Sequence, residues 1–182
     1  MADMNNDIEK VILTEAEIAE ITKKIGAQIT KDYEGKKLLV VGVLKGSFMF
    51  FADVVREIKE YCSVDFMVIS SYGMGTESSG MLQIHKDLSV DVKGKDVLII
   101  EDIVDSGITM QSVTGVLNKR GAASVKIATF LDKPSRRKVP VKADYVGCVV
   151  PDEFVVGYGL DFAEEYRNLP YLGVLKPEIY QK

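Results

Sequence analysis

Val97-Leu98-Ile99-Ile100-Glu101-Asp102-Ile103-Val104-Asp105-Ser106-Gly107-Ile108-Thr109 is the stretch from which the rest of the chain is read. Its first four residues are apolar without alternation, the pattern of a strand buried on both faces. Glu101, Asp102 and Asp105 follow, and then a small hydroxyl-bearing turn enters a helix predicted from about Thr109 to Arg120. Carboxylates this close repel by about 4 kcal/mol per pair at an effective dielectric of 20, and the segment contains no basic side chain. A ligand rich in hydroxyls, or a divalent cation, relieves that repulsion. The turn Asp105 to Thr109 offers backbone N–H groups and two hydroxyls at a helix N-terminus, an anion site whose contacts contribute roughly 0.3–2 kcal/mol each. Diol or metal binding beside a phosphate cradle points to a sugar phosphate. Helix capping by Asp105 or Ser106 accounts for part of the pattern but leaves Glu101 and Asp102 unexplained.

Outward from this segment the same alternation recurs. Thr14-Glu15-Ala16-Glu17 reads as a capping box, with Ile18, Ile21, Ile25 and Ile29 at helical spacing until Gly35. Leu38 to Leu44 is a continuous apolar run, followed by a helix pattern from about Phe48 to Tyr61. Further apolar runs lie at Val64 to Ile69, Val125 to Phe130 and Tyr145 to Val150. Short non-alternating strands separated by amphipathic helices predict an α/β fold with a mostly parallel central sheet flanked by helices. Such sheets bind ligands just past the carboxyl ends of their strands. Between the second and third core strands lies a polar stretch, Ser70 to Lys95. Its first part, Tyr72 to Gly80, is expected to be a mobile loop and its second part a hairpin.

Composition narrows the function. The chain has 182 residues, and 27 acidic against 23 basic side chains give a formal charge of −4. That length suits a single domain. The longest apolar run is far short of the about 20 residues of a membrane span, and the polar, acidic Met1 to Asp7 is unlike a secretory signal. A soluble, cytoplasmic protein with no membrane partner is expected. Cys62, Cys148 and His85 are too few and too scattered for a disulfide scaffold or a zinc site, and His85 is expected to be an ordinary surface or strand residue. The acidic balance argues against nucleic acid as the main partner. Neither a Gly-x-x-x-x-Gly-Lys-Ser/Thr loop nor a complete dinucleotide fingerprint is present.

The Val97 to Thr109 segment resembles the phosphoribosyl pyrophosphate signature of the type I phosphoribosyltransferases. With Leu44-Lys45-Gly46-Ser47, Ser70-Ser71-Tyr72-Gly73, Lys142-Ala143-Asp144-Tyr145-Val146-Gly147 and Val155-Val156-Gly157-Tyr158-Gly159-Leu160-Asp161 in the same order, the chain is similar to the bacterial hypoxanthine (hypoxanthine-guanine) branch of that family from about Ile8 to Tyr180. The resemblance implies a single domain over residues 1–182, with a core at about 8–140, and a small hood from about 141–182 plus the N-terminal segment. It implies purine salvage: a 6-oxopurine ring nitrogen attacks the anomeric carbon of phosphoribosyl pyrophosphate, pyrophosphate leaves, and a nucleoside monophosphate forms. Mg²⁺ is the implied cofactor and a homodimer or homotetramer the implied assembly. The Phe48-Met49-Phe50-Phe51 cluster is expected to lie partly at that interface.

Residue roles follow from the same resemblance. Glu101 and Asp102 match the pair that holds the ribose hydroxyls directly or through Mg²⁺, with Asp161 as a further metal contact. Asp105 matches the general base that takes the proton of the purine imidazole ring. Ser106, Gly107, Ile108 and Thr109 match the 5′-phosphate loop, although Ile108 stands where some members have Lys. Lys45, Gly46 and Arg167 match pyrophosphate contacts, with a non-proline cis peptide before Lys45. Lys142 matches the donor to the exocyclic purine oxygen; Phe154 stacks on the base, the Val155 backbone reads its edge, and Asp161 lies beside it. Ser71 and Tyr72 match a lid that excludes water. Taken singly, Lys142 reads as an ordinary exposed lysine and Arg167 beside Glu164 and Glu165 as a surface ion pair. A nucleic-acid-binding regulator that keeps the fold, and an enzyme preferring xanthine, uracil or adenine, are the alternatives.

Overall fold

The computed structural model describes residues 3–71 and 82–181. Thr14 opens α1 (Glu15–Asp32) with the expected capping box: the Glu17 N–H donates to Thr14 Oγ1 at 3.3 Å and the Thr14 N–H to Glu17 Oε2 at 2.8 Å. The apolar runs become β2 (Leu38–Leu44), β3 (Cys62–Ser71), β5 (Asp96–Val104), β6 (Ser124–Asp132) and β7 (Tyr145–Val149). These five are parallel, and the antiparallel hairpin strand β4 (Leu82–Lys86) completes a six-stranded sheet ordered β4-β3-β2-β5-β6-β7. The helices α2 (Phe48–Glu57) and α3 (Ile108–Lys119) cross over it.

Each strand feeds two cores because its side chains point alternately to opposite faces. Val40, Leu98 and Ile100 pack with Ile25, Ile29, Phe50 and Phe130 on the side of α1 and α2. Leu39, Val41, Val97 and Ile99 pack with Met110, Val113 and Leu117 on the side of α3. A strand loaded on both faces has no polar side to alternate, which is why the sequence runs were continuous.

A second, three-stranded antiparallel sheet is ordered β1-β9-β8, from β1 (Ile8–Leu13), β8 (Val155–Val156) and β9 (Leu172–Leu175). A one-turn helix, α4 (Pro177–Tyr180), follows. Thus β1 joins the hood, and β7, expected within the hood, completes the large sheet. Two other expectations are corrected here. The helix expected to reach Tyr61 stops at Glu57, because Ile58 turns extended and the Lys59 N–H bonds Thr30 Oγ1 at 3.0 Å, leading the chain into β3. Of the Phe48 to Phe51 cluster, Phe50 and Phe51 are buried in the protein's own core, Met49 is half-buried and Phe48 is exposed, so Phe48 and Met49 are the part left for the expected interface. The hairpin expected after the loop is not formed there: that part supplies one strand, β4, which pairs antiparallel with β3 on the near side of the loop, Ser71 opposite Leu82; residues 72–80, Tyr72 among them, expected to be the mobile loop, lie outside the described residues.

Candidate functional site

Between β2 and β5 the strand order reverses direction, since the chain goes from β2 outward to β3 on one side and to β5 on the other. The crevice past their carboxyl ends is where such sheets bind ligands. Here a cleft of about 420 Å³ is lined by Lys45, Gly46, Glu101, Asp102, Asp105, Gly107, Thr109, Asp161 and Arg167. Residues spread over more than 120 positions of sequence are thereby gathered by three strand ends and the hood.

Glu101 is 8% exposed, and among the described residues its carboxylate accepts from one donor, the Asp102 N–H at 3.1 Å. Burial, reinforced by the neighbouring Asp102 and Asp105 charges, pushes its pKa well above the ordinary carboxyl value. Asp102 accepts from the Ile103 N–H at 2.7 Å. The turn after β2 presses directly onto Asp102: a Cβ on Gly46 would stand 1.6 Å from Asp102 Oδ2, so any larger residue would push that carboxylate out of its position. The Leu44–Lys45 peptide is cis, as the family resemblance implies. Opposite, Lys45 Nζ pairs with Glu164 at 2.9 Å, and Arg167 bridges Asp161 at 2.8 Å and Glu164 at 3.4 Å. Glu164, read from the sequence as an ion-pair partner of Arg167, also pairs with Lys45 and so sets the rest position of both cations.

The phosphate-loop segment turns through Gly107 at φ 79°, a left-handed conformation that favours glycine. No side chain caps α3. The Ser106 N–H is drawn to the Asp105 carboxylate and the Ile108 N–H makes a long 3.4 Å contact with Ser106 Oγ. Among the described residues nothing accepts from the Gly107 or Thr109 N–H, and both residues line the cleft. Ser106 and Ile108 flank the loop without lining that cleft.

A second cavity of about 450 Å³ adjoins the first, with Ile103 and Asp105 common to both walls. Its other walls include Lys133, Phe154, Val155, Leu160 and Tyr180, with Arg136, Asp152 and Glu153 at a charged side. Phe154 stacks on Tyr180 (centroids 4.8 Å apart, planes at 21°) and takes Phe162 edge-on at 5.6 Å. Asp161 belongs to the first cleft and not to this one.

Lys142 is not brought to either cavity. It is exposed, two residues before the Asp144 N–H that bonds the Ile127 carbonyl at 2.8 Å. Its neighbour Val141 packs on the back of the Gly107 turn, with its Cβ 3.3 Å from where a Cβ on that glycine would stand, and lends its carbonyl to Arg137, while Lys142 itself lines neither cavity. The lysine in the cavity is Lys133, 8% exposed, whose ammonium donates to the Glu153 carbonyl at 2.8 Å and lies 3.7 Å from Asp152. The signal for it was already in the sequence, since Lys133 lies just past the Val125 to Phe130 run, where ligand-binding residues of such a sheet collect. Among the described residues no group of three or more His, Cys, Asp or Glu side chains is placed to hold a metal ion by itself.

Residues 9–163 match the family described as phosphoribosyl transferase domain. A hypoxanthine-guanine phosphoribosyltransferase from Staphylococcus aureus is 56% identical over 177 residues, 97% of this chain and 99% of that one. A bifunctional TilS/HprT protein from Listeria innocua is 56% identical over 98% of this chain, which corresponds to 28% of that protein. A crystal structure of a hypoxanthine phosphoribosyltransferase from Staphylococcus aureus superposes with a TM-score of 0.96 at 56% identity, covering 98% of this chain and 97% of that one.

Proposed function

Because the chain belongs to the phosphoribosyltransferase family, we propose that it transfers the 5-phosphoribosyl group from phosphoribosyl pyrophosphate to hypoxanthine or guanine, giving IMP or GMP and pyrophosphate. The observation that carries this reading is the wall shared by the two cavities: Asp105 and Ile103 belong to both the acidic cleft and the aromatic pocket. A flat base held against Phe154 therefore meets a pentose held at Glu101 and Asp102 across Asp105.

The purine ring nitrogen is the nucleophile, and the C–N bond forms as the bond to the pyrophosphate oxygen breaks through an oxocarbenium-like state. Asp105 accepts the proton released from the purine imidazole ring. The Gly107 and Thr109 amides with the Thr109 hydroxyl hold the 5′-phosphate. Lys45 and Arg167 exchange Glu164 for pyrophosphate oxygens and offset charge on the leaving group. Lys133 takes the role that the resemblance implies for a lysine, donating to the 6-oxo group. Adenine would face that ammonium with a donor of its own, leaving both unpaired.

The donor set fits Mg²⁺. This ion is usually held by one or two carboxylates plus substrate phosphates, and Glu101 and Asp102 are two such carboxylates with no basic partner among the described residues, while Asp161 faces the same cleft. Bound there with pyrophosphate, the ion supplies electrostatic stabilisation of the leaving group. No helix among the described residues is long and apolar enough to cross a membrane, and we assign the protein to the cytoplasm, as a homodimer or homotetramer whose assembly sedimentation would read directly.

The test is nucleotide formation from hypoxanthine or guanine, phosphoribosyl pyrophosphate and Mg²⁺, with adenine, xanthine and uracil offered in competition. Turnover should prefer the 6-oxopurines and fall by about 10²–10⁴ in Asp105→Asn. No product above that variant's level would overturn the reading.

A further inference from the structure

The side chain of Arg137 is 17% exposed and points into the back of the loop whose front faces the cleft. Its Nε donates to the Asp105 carbonyl at 2.9 Å and Nη2 to the Val104 carbonyl at 3.1 Å. The same guanidinium pairs with the Asp132 carboxylate at the end of β6, and Nη1 bonds the Val141 carbonyl. The next two residues continue the grip: the Lys138 N–H bonds the Ser106 carbonyl at 2.9 Å and the Val139 N–H reaches it at 3.4 Å. Three consecutive carbonyls, those of Val104, Asp105 and Ser106, are thus held from behind.

In a trans peptide the N–H of the next residue points opposite to the held carbonyl. Fixing the Ser106 carbonyl therefore turns the Gly107 N–H away from the Arg137 segment, and fixing the Asp105 carbonyl does the same for the Ser106 N–H. Gly107 is packed against this backing, since a Cβ there would meet Arg137 Cδ at 3.0 Å and Val139 Cγ2 at 3.1 Å. None of these contacts uses a cleft carboxylate, so the charge of Arg137 is spent on backbone orientation and on Asp132.

We propose that Arg137 is a positioning residue for the phosphoribosyl site: by clamping the carbonyls of Val104 and Asp105 it fixes the backbone that carries the base Asp105, and it anchors the segment whose Lys138 and Val139 amides hold the Ser106 carbonyl and so turn the Gly107 amide toward the cleft. The planar fork is the reason for arginine. An ammonium is a single point of charge and cannot hold two carbonyls of one strand end, Val141 and a carboxylate together. The inference rests on the function proposed above.

The experiment compares wild type, Arg137→Met and Arg137→Lys for steady-state turnover and for calorimetric binding of phosphoribosyl pyrophosphate with Mg²⁺. Wild-type turnover tests the reaction itself; if it is absent, the binding comparison still decides the role of Arg137. Both variants should raise the KM and Kd of phosphoribosyl pyrophosphate by about tenfold or more while the KM of hypoxanthine stays within about twofold. Millimolar guanidinium should partly restore Arg137→Met. If Arg137→Met does not fold, the split between the two KM values in Arg137→Lys decides alone. A KM for phosphoribosyl pyrophosphate close to wild type in the folded variants, or an equal rise in both KM values, overturns the proposal and leaves Arg137 a purely structural brace.

Discussion

Glu101 is an acid held where its charge is expensive, and the sign of the consequence can be worked out. Its pKa in the folded protein lies above the ordinary 4.5, so folding favours its protonated form. The penalty is absent below about 4.5 and grows as pH rises through the raised folded value. Glu101→Gln should therefore be more stable than wild type at pH 8 in the absence of ligands, with the gap closing as pH is lowered to about 4.5. Thermal unfolding across that range reads it, and a gap that is constant or inverted contradicts the assigned cause. The same variant should lose activity, because a site kept strained for function is commonly stabilised when disarmed. The two lysines divide as sharply. Lys133→Met should raise the KM of hypoxanthine by about 10–100-fold and narrow the margin over adenine, whereas Lys142→Ala should leave both unchanged. Kinetics with the two bases would separate them.

Among the elements, the helices that sequence periodicity located are the ones with a buried apolar stripe, and their ends moved only by a few residues. The largest miss, the end of α2, lies at Ile58, which stays buried although its backbone is extended, with the following Lys59 N–H bonded to Thr30 Oγ1 of a distant helix that the local pattern does not reveal. The short hood elements β8, β9 and α4 left no periodic trace, since two to four residues are too few to show one. Yet α4 has a task. Tyr180 backs Phe154 with a near-parallel ring at 4.8 Å, which restricts the face on which the base is to stack. Tyr180→Ala should raise the KM of hypoxanthine about threefold to tenfold with the KM of phosphoribosyl pyrophosphate unchanged, and Tyr180→Phe should behave as wild type. An unchanged purine KM in Tyr180→Ala would show that Phe154 stands without it.

For the whole molecule, the site is a seam between the large sheet and the hood, so ligands that fill it tie the two together. Phosphoribosyl pyrophosphate with Mg²⁺ should raise the unfolding temperature, corresponding to about 2.7 kcal/mol at a hundredfold excess over Kd. Chelating the metal should remove most of that rise and stop turnover. A stabilisation indifferent to chelation would place the metal elsewhere than between Glu101, Asp102 and the substrate phosphates. Fluorescence-monitored melting with and without chelator is sufficient.

Residue pattern alone determined the parallel α/β core and the acidic, hydroxyl-rich loop from Glu101 to Thr109, because both are written in contiguous sequence: burial on two faces removes alternation, and a strand end followed directly by a helix start brings carboxylates beside amides. What tertiary structure alone decided was which distant side chains meet that loop. Lys133 and not Lys142 lines the cavity beside Phe154, Glu164 holds Lys45 and Arg167, and Arg137 grips the loop from behind. Those choices depend on strand register and on where the chain leaves each strand, neither of which a local stretch of sequence specifies.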